Sequence, residues 1–234
     1  MTDNKIIITL DGPSGVGKGT LVTLLGAYYH FITLDTGSLY RAIALYIMTH
    51  FDINEVSPEK ATEIAQQIAD SNEIFTYAKK PEIRLPETSA YVPNISCIPG
   101  VRKIVINYQT KFGTNPPNMF DGSRPNGVIV EGRNVGTGVF PNALIKLYID
   151  ATPEAKAQRR YKELVAKGVP AVYEDVLADL IQRDKADKER DAAVGKMAVP
   201  DDAHYIDTSD LTRGQVFDEA VKFIDEILAK KNAN

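Results

Sequence analysis

The sequence predicts an α/β fold: a parallel β-sheet with helices on both of its faces. Three observations lead there. Short apolar runs alternate along the chain with segments of helical periodicity, which is the pattern of βαβ units. The runs are nearly continuous rather than alternating, as strands covered on both faces are. The ends of four of them, Asp11-Gly12, Asp35-Thr36, Glu131-Gly132 and Asp150, bring polar groups to the carboxyl edge of the sheet, where ligands of such folds bind.

The elements follow in order. "KIIITLD" reads as the first strand, ending at a Gly-Pro turn. From Gly17 to about His30 the pattern is helical, with Leu21, Leu24 and Leu25 on one side. "FITLD" is a second strand and "SLYRAIALYIM" a helix opening at Ser38. "SPEKATEIAQQIAD" is a helix with Ser57 as N-cap and Pro58 in its first position. "EIFTYA" and "EIRLPE", separated by "KKP", read as a hairpin off the main sheet. A helix carrying Arg102, Val105 and Tyr108 follows Pro99-Gly100, and "GTNPPNMFDGSRPNG" is turn chemistry throughout. "VIVEG" and "IKLYID" are further strands. Helical patterns fill Pro153 to Lys167 and about Tyr173 to Arg190; "AHYID" is a last strand and "GQVFDEAVKFIDEILAKK" a closing amphipathic helix.

Composition narrows the class. The 234 residues are 44% hydrophobic and 25% charged, enough to bury a substantial core in one domain. A formal charge of −4 and a pI near 5.5 argue against non-specific nucleic-acid binding, which needs a basic surface. "MTDNKIIITL" reads as a first strand rather than a targeting segment, and no apolar run approaches the roughly 20 residues that span a bilayer. One cysteine, Cys97, excludes an intrachain disulfide, fits a reducing compartment and reads as a small apolar side chain. His30, His50 and His204 lack ligand spacing, so no His/Cys metal site is expected.

"DGPSGVGKGT", between a strand and a helix, is a phosphate cradle. Its glycine-rich turn aims backbone N–H groups and a positive helix end at an anion. Gly12, Gly15 and Gly17 let the backbone curl, Ser14 lies within the turn, and Lys18 reaches the β/γ-phosphates. The usual pattern places a metal-binding hydroxyl directly after the lysine; here Gly19 stands there and Thr20 comes one place late. A Mg²⁺ ion would then be held mainly by phosphates and waters, with Glu131 steadying those waters, Asp35 as a second candidate, and Thr20 on the α-phosphate. The Gly-Thr ending and the absence of an N-K-x-D motif separate the chain from GTPases. Arg41, Arg102, Arg133, the pair Arg159-Arg160, and Arg183 with Arg190 fall where a second phosphate would use them.

"GPSGVGKGT", "LDTGSLYRA", "PGVRK", "VEGRNVGTGVFPNA", the "RR" of "AQRRY" and "QRDKADKER" resemble, in order, the signature blocks of bacterial-type cytidylate kinases over nearly the whole chain. The resemblance implies a P-loop kinase fold: a five-stranded parallel sheet, an acceptor-binding insert at about residues 57–98 and a helical lid at about 155–192. It implies one domain, with its core in residues 1–56, 99–152 and 200–234. It implies ATP with Mg²⁺ as donor, CMP or dCMP as acceptor, a monomer and a cytoplasmic location, with no nucleic-acid or membrane partner.

Carried over, Thr36 and Tyr40 help seat the acceptor, Arg41 and Arg133 hold its phosphate, and Arg183 and Arg190 close from the lid. Asp187 takes the sugar hydroxyls, Arg102 faces the base, and Arg159-Arg160 belong to the lid. Two positions depart from the family's pattern. Asn134 stands where the family's aspartate accepts from the cytosine amino group, and Pro93 falls at the position of a serine. An asparagine carbonyl accepts from that amino group too, while its rotated amide donates to O4 of uracil. Three readings stay open: CMP preferred with weaker rejection of UMP, unchanged specificity, or another acceptor. A non-catalytic ATP-binding protein is the rival from a different class.

Overall fold

The computed structural model describes residues 5–119, 121–166, 168–193 and 199–233; for residues 183, 186–193 and 232 it describes the backbone alone. Two compact units result. One comprises the chain up to Thr33 and from Asn118 onward; the other is the uninterrupted stretch Leu34–Pro117.

The first unit is built on the sheet. The strands are β1 (Ile6–Asp11), β2 (Phe31–Asp35, whose last two residues begin the second unit), β3 (Gly127–Gly132), β4 (Ile145–Asp150) and β5 (His204–Asp207), in spatial order β2-β3-β1-β4-β5. The pairs β1–β3, β1–β4 and β4–β5 are parallel. Successive strand residues point to opposite faces, so runs buried without a break, such as Ile8-Thr9-Leu10 and Val128-Ile129-Val130, mean that both faces are covered.

On one face Ile8, Leu10, Ile129, Ile145, Leu147, Ile149 and Ile206 pack against α1 (Lys18–Tyr29) and α9 (Arg213–Asn232). Each such side chain contributes about 1.5–3 kcal/mol by leaving water. Leu21, Val22 and Leu25 supply the buried stripe of α1, whereas Leu24, expected beside them, is 42% exposed. One helical position, about 100°, carries it off the stripe. Helix α9 begins with a reciprocal capping box between Thr212 and Gln215. The opposite face is more polar: in register order it carries Thr9 and Asp11 of β1 beside Lys146 and Tyr148 of β4. Helices α7 (Pro153–Ala166) and α8 (Tyr173–Ala193) pack on each other.

The second unit contains α2 (Thr36–His50), α3 (Pro58–Asp70), α4 (Glu73–Tyr77), a 3₁₀ turn at Pro81–Arg84, α5 (Pro86–Ser96) and α6 (Pro99–Thr114). Ser57 caps α3 with its hydroxyl accepting from Lys60 N, and Pro58 opens that helix, as the sequence predicts. The expected hairpin is not there: both of its segments are helical. The reason is proline. Pro81 and Pro86 have no N–H for a strand ladder, and their fixed φ suits the first position of a helix, which is where each sits. Helix α2 begins at Thr36, two residues earlier than expected, because Asp35 caps it by accepting from Ser38 N at 3.2 Å.

Among the described residues no helix is long and apolar enough to cross a membrane. Cys97, read as an apolar side chain, is exposed at the end of α5.

Candidate active site

The cradle occupies the turn from β1 into α1. At Gly12 the backbone runs at φ 152°, and a side-chain carbon there would lie 2.1 Å from the carbonyl oxygen of Ile149, so no larger residue fits. Gly15 and Gly17 also take left-handed conformations, and Gly17 caps α1 with no side chain across the helix end. The first N–H groups of α1 therefore face a ligand's place with the positive end of the helix dipole behind them. Lys18 Nζ donates to the carbonyls of Gly12 (2.8 Å) and Pro13 (2.7 Å), curling over its own loop. Ser14 is half-buried and Thr20 exposed.

Two acids end adjacent strands and face opposite ways. Leu10 of β1 and Glu131 of β3 are register partners, which puts Glu131 on the α1 side of the sheet. A side-chain carbon built at Gly19 would lie 4.0 Å from both carboxylate oxygens of Glu131. The acid thus stands beside the position where a hydroxyl usually follows the lysine. Asp11 faces the other way. It is 2% exposed, and its two oxygens accept from Val135 N (2.8 Å) and Gly136 N (2.7 Å). Burial holds its carboxyl above the ordinary range, and those two hydrogen bonds and the charge of Lys18 offset that only in part.

The turn that Asp11 grips is Val135–Val139, a single π-helical turn that the sequence reading missed; its signal is the glycine pair in "VGTGV". Half-buried Arg133 and Asn134 stand directly before it. Asn134 accepts at its backbone carbonyl from Gly138 N (2.8 Å), and its side-chain amide nitrogen lies 3.0 Å from where a side-chain carbon at Gly138 would be.

Adjacent residues on α7 separate into different tasks. Arg159 donates to the carbonyl of Val16 in the cradle (3.3 Å), to the hydroxyl of Thr208 (3.0 Å) and to the carbonyl of Thr208. Arg160 is exposed and pairs with Glu163 at 2.9 Å. Lys156 was not singled out from sequence. It is 4% exposed, ion-paired with Asp184 of α8, and its aliphatic stem passes Gly15 of the cradle. Arg183, Asp187 and Arg190 fall in α8, but their side chains lie outside the described residues.

The second unit holds the remaining candidates. Thr36 is buried and Tyr40 half-buried in the first turns of α2. Burial raises the Tyr40 hydroxyl's pKa, and the nearby Arg102 guanidinium opposes that. Arg102 Nη1 donates to the carbonyl of Ser96 (3.2 Å). Arg41 Nη1 donates to the carbonyl of Ile83 (3.2 Å) and to the hydroxyl of Ser89 (2.5 Å), a partner that no sequence signal marked. Both oxygens of Asp35 are engaged, one capping α2 and the other paired with Arg84 at 2.9 Å. Pro93 lies inside α5. Among the described residues no cluster of three His, Cys, Asp or Glu side chains is placed to hold a metal.

The family model for cytidylate kinase matches residues 8–226. The cytidylate kinase of Paramagnetospirillum magneticum is 36% identical over 218 residues, covering 93% of this chain and 97% of that protein. Its counterpart from Shewanella putrefaciens is 34% identical over 248 residues, covering 99% and 100%. That from Thermosipho melanesiensis is 36% identical, covering 94% and 96%. A solved shikimate kinase from Bacteroides thetaiotaomicron aligns over 96% of this chain and 98% of that one, at 17% identity and a TM-score of 0.42.

Proposed function

Because the chain belongs to the cytidylate kinase family, we propose that it transfers the γ-phosphoryl group of ATP to CMP or dCMP, yielding ADP and CDP or dCDP. The observation that carries this reading is the cradle itself: an uncapped helix end, Lys18 folded over the loop, and the Glu131 carboxylate against Gly19.

An oxygen of the acceptor phosphate, already anionic at neutral pH, forms a bond to the γ-phosphorus as the bond to the β–γ bridging oxygen breaks. The electron pair leaves with ADP. No group need remove a proton first, so the protein's work is positioning and charge neutralisation. Backbone N–H groups of the cradle and Lys18 hold the donor phosphates. Arg41 and Arg133, with Arg183 and Arg190, take the acceptor's phosphate and the charge that develops. One such arginine is worth about 10³–10⁵ in rate.

Mg²⁺ bound with ATP would supply positive charge that offsets the charge of the phosphates. Glu131 suits its waters, while Asp35 is already occupied by its cap and by Arg84. We assign Arg160 to the lid over the ligands and give Arg159 the task of tying the cradle to Thr208. Asp187 is assigned to the sugar, and Thr36, Tyr40, Arg102 and Asn134 to the nucleoside. The insert at about 57–98 and the lid at about 155–192 are proposed parts of one kinase domain, acting as a cytoplasmic monomer.

A second acceptor has support from one residue. The Asn134 amide, unlike a carboxylate, has a donor to offer the O4 of uracil. A mispaired buried partner costs about 1–3 kcal/mol, so discrimination against UMP should shrink about tenfold.

The test is ADP release with ATP and Mg²⁺ against CMP, dCMP, UMP, AMP and GMP, repeated with Asn134→Asp. Turnover with CMP and dCMP is expected, and the substitution is expected to suppress UMP about tenfold relative to CMP. Equal CMP-to-UMP ratios in both proteins would remove the role given to Asn134. No turnover with any acceptor would leave a nucleotide-binding protein.

A further inference from the structure

We propose that Asp11 is a positioning residue for the acceptor: it fixes the turn after β3 so that Arg133 and Asn134 are held in one place relative to the phosphate cradle. This rests on the proposed assignment of those two residues to the acceptor.

Asp11 is the last residue of β1, and Gly12, next to it, opens the cradle. The Asp11 carboxylate finds two N–H donors on a turn more than a hundred residues later, one for each oxygen, at 2.8 and 2.7 Å. Val135 and Gly136, which donate them, directly follow Arg133 and Asn134. Hydrogen bonds to an ionised acceptor are roughly twice as strong as neutral ones, and two parallel bonds fix direction as well as distance. The pair also satisfies two buried backbone N–H groups, which would otherwise stay unpaired.

The surroundings keep the turn seated on the carboxylate. At Gly136 a side-chain carbon would lie 2.8 Å from the Thr9 hydroxyl and 3.2 Å from Asp11 Oδ2. Only glycine lets the backbone come this close. Tyr148 flanks Asp11 on β4 as its register partner, and Lys18 contributes a favourable charge from the cradle side. The β1 end thereby carries two ligand-directed features: the donor's loop through its backbone, and the acceptor's loop through one side chain.

Asp11→Asn is the informative change. One amide oxygen still accepts, but the amide nitrogen then confronts a second N–H, so the turn must move while the cradle's glycines are untouched. Gly136→Ala should act from the other side by lifting the turn off the carboxylate. Both variants are expected to raise KM for CMP about tenfold and to lower kcat, while ATP affinity measured without acceptor stays within about twofold. Because they break one contact, the double variant should lose little more than either single one. A loss that falls on ATP affinity would place the role of Asp11 with Lys18 and overturn the proposal, as would an unchanged KM for CMP.

Hydrogen exchange on the wild-type protein tests the same contact without any variant. The amides of Val135 and Gly136 should be protected about as well as those of β3. Exchange at exposed-loop rates would overturn the proposal even if neither variant folds. Arg133→Ala separates the two layers of argument. If it leaves KM for CMP unchanged, the acceptor assignment fails. If it raises KM while Asp11→Asn does not, only the inference about Asp11 fails.

Discussion

Four strands end in aspartate, and two of these ends, those of β1 and β2, are stabilised in opposite ways. At the end of β1, Asp11 is buried and serves a distant turn, through bonds to Val135 and Gly136. At the end of β2, Asp35 serves its own helix by capping Ser38 three residues on, and its second oxygen meets Arg84, whose side chain is 66% exposed. The β1 end is therefore rigid through long-range contacts between buried groups. The β2 end is a local device with a solvated ion pair added. A cradle that must present fixed N–H groups to three phosphates gains from the first arrangement.

Four substitutions bear on this contrast, in falling order of expected effect. Lys156→Met strands the Asp184 carboxylate in a mostly buried site beside the cradle, and chemical denaturation should register a loss of about 3–5 kcal/mol. Replacing both partners by apolar residues should recover most of it. A loss below about 1 kcal/mol from the single change would mean that the buried Lys156–Asp184 pair does not hold α7 to α8 beside the cradle. Gly12→Ala forces a side chain onto the Ile149 carbonyl, so about 3 kcal/mol of stability and most ATP affinity should go, read by denaturation and by nucleotide titration.

Asp35→Ala removes a cap and an exposed pair, for about 1 kcal/mol in all, with the pair contributing little. The Arg84→Ala protein is the control: a cost equal to that of Asp35→Ala would show that the pair, not the cap, matters. Ser89→Ala deletes a bond that orients Arg41 and should raise KM for CMP about threefold to tenfold, with ATP affinity unchanged in the same titration.

The contrast also explains what was legible in the sequence. Strands, cradle and most helix starts are written in local patterns: unbroken apolar runs, glycines at a strand end, and Ser57 ahead of Pro58. Long-range partners leave no such mark. Lys156 reads as a solvated lysine of an amphipathic helix, because nothing near it in sequence announces Asp184. Arg159 and Arg160 look equivalent as "RR". Neighbours on a helix point about 100° apart, so only one of them can turn inward, and the sequence does not say which.

The misread hairpin has another cause. The β-branched and aromatic residues of "EIFTYA" favour a strand locally, but the prolines that follow remove the donors that a ladder needs. Asp35 reads as a candidate metal acid, whereas the structure uses it as a cap, with Ser38 at cap spacing.

The order of the strands has a consequence for synthesis. Every neighbour of β1 lies far downstream: Ile6 pairs with Gly127, and Ile8 with Ile145. While the chain emerges from the ribosome, β1 is made before either of its neighbours and waits with both edges open for more than a hundred residues. The whole of Leu34–Pro117, a contiguous stretch with its own buried side chains, appears in that interval. Closing so long a loop slows sheet assembly and prolongs the exposure of "IIITL", an apolar segment with open edges. The strand that carries the phosphate cradle is thus also the one most in need of protection before the protein exists as a fold.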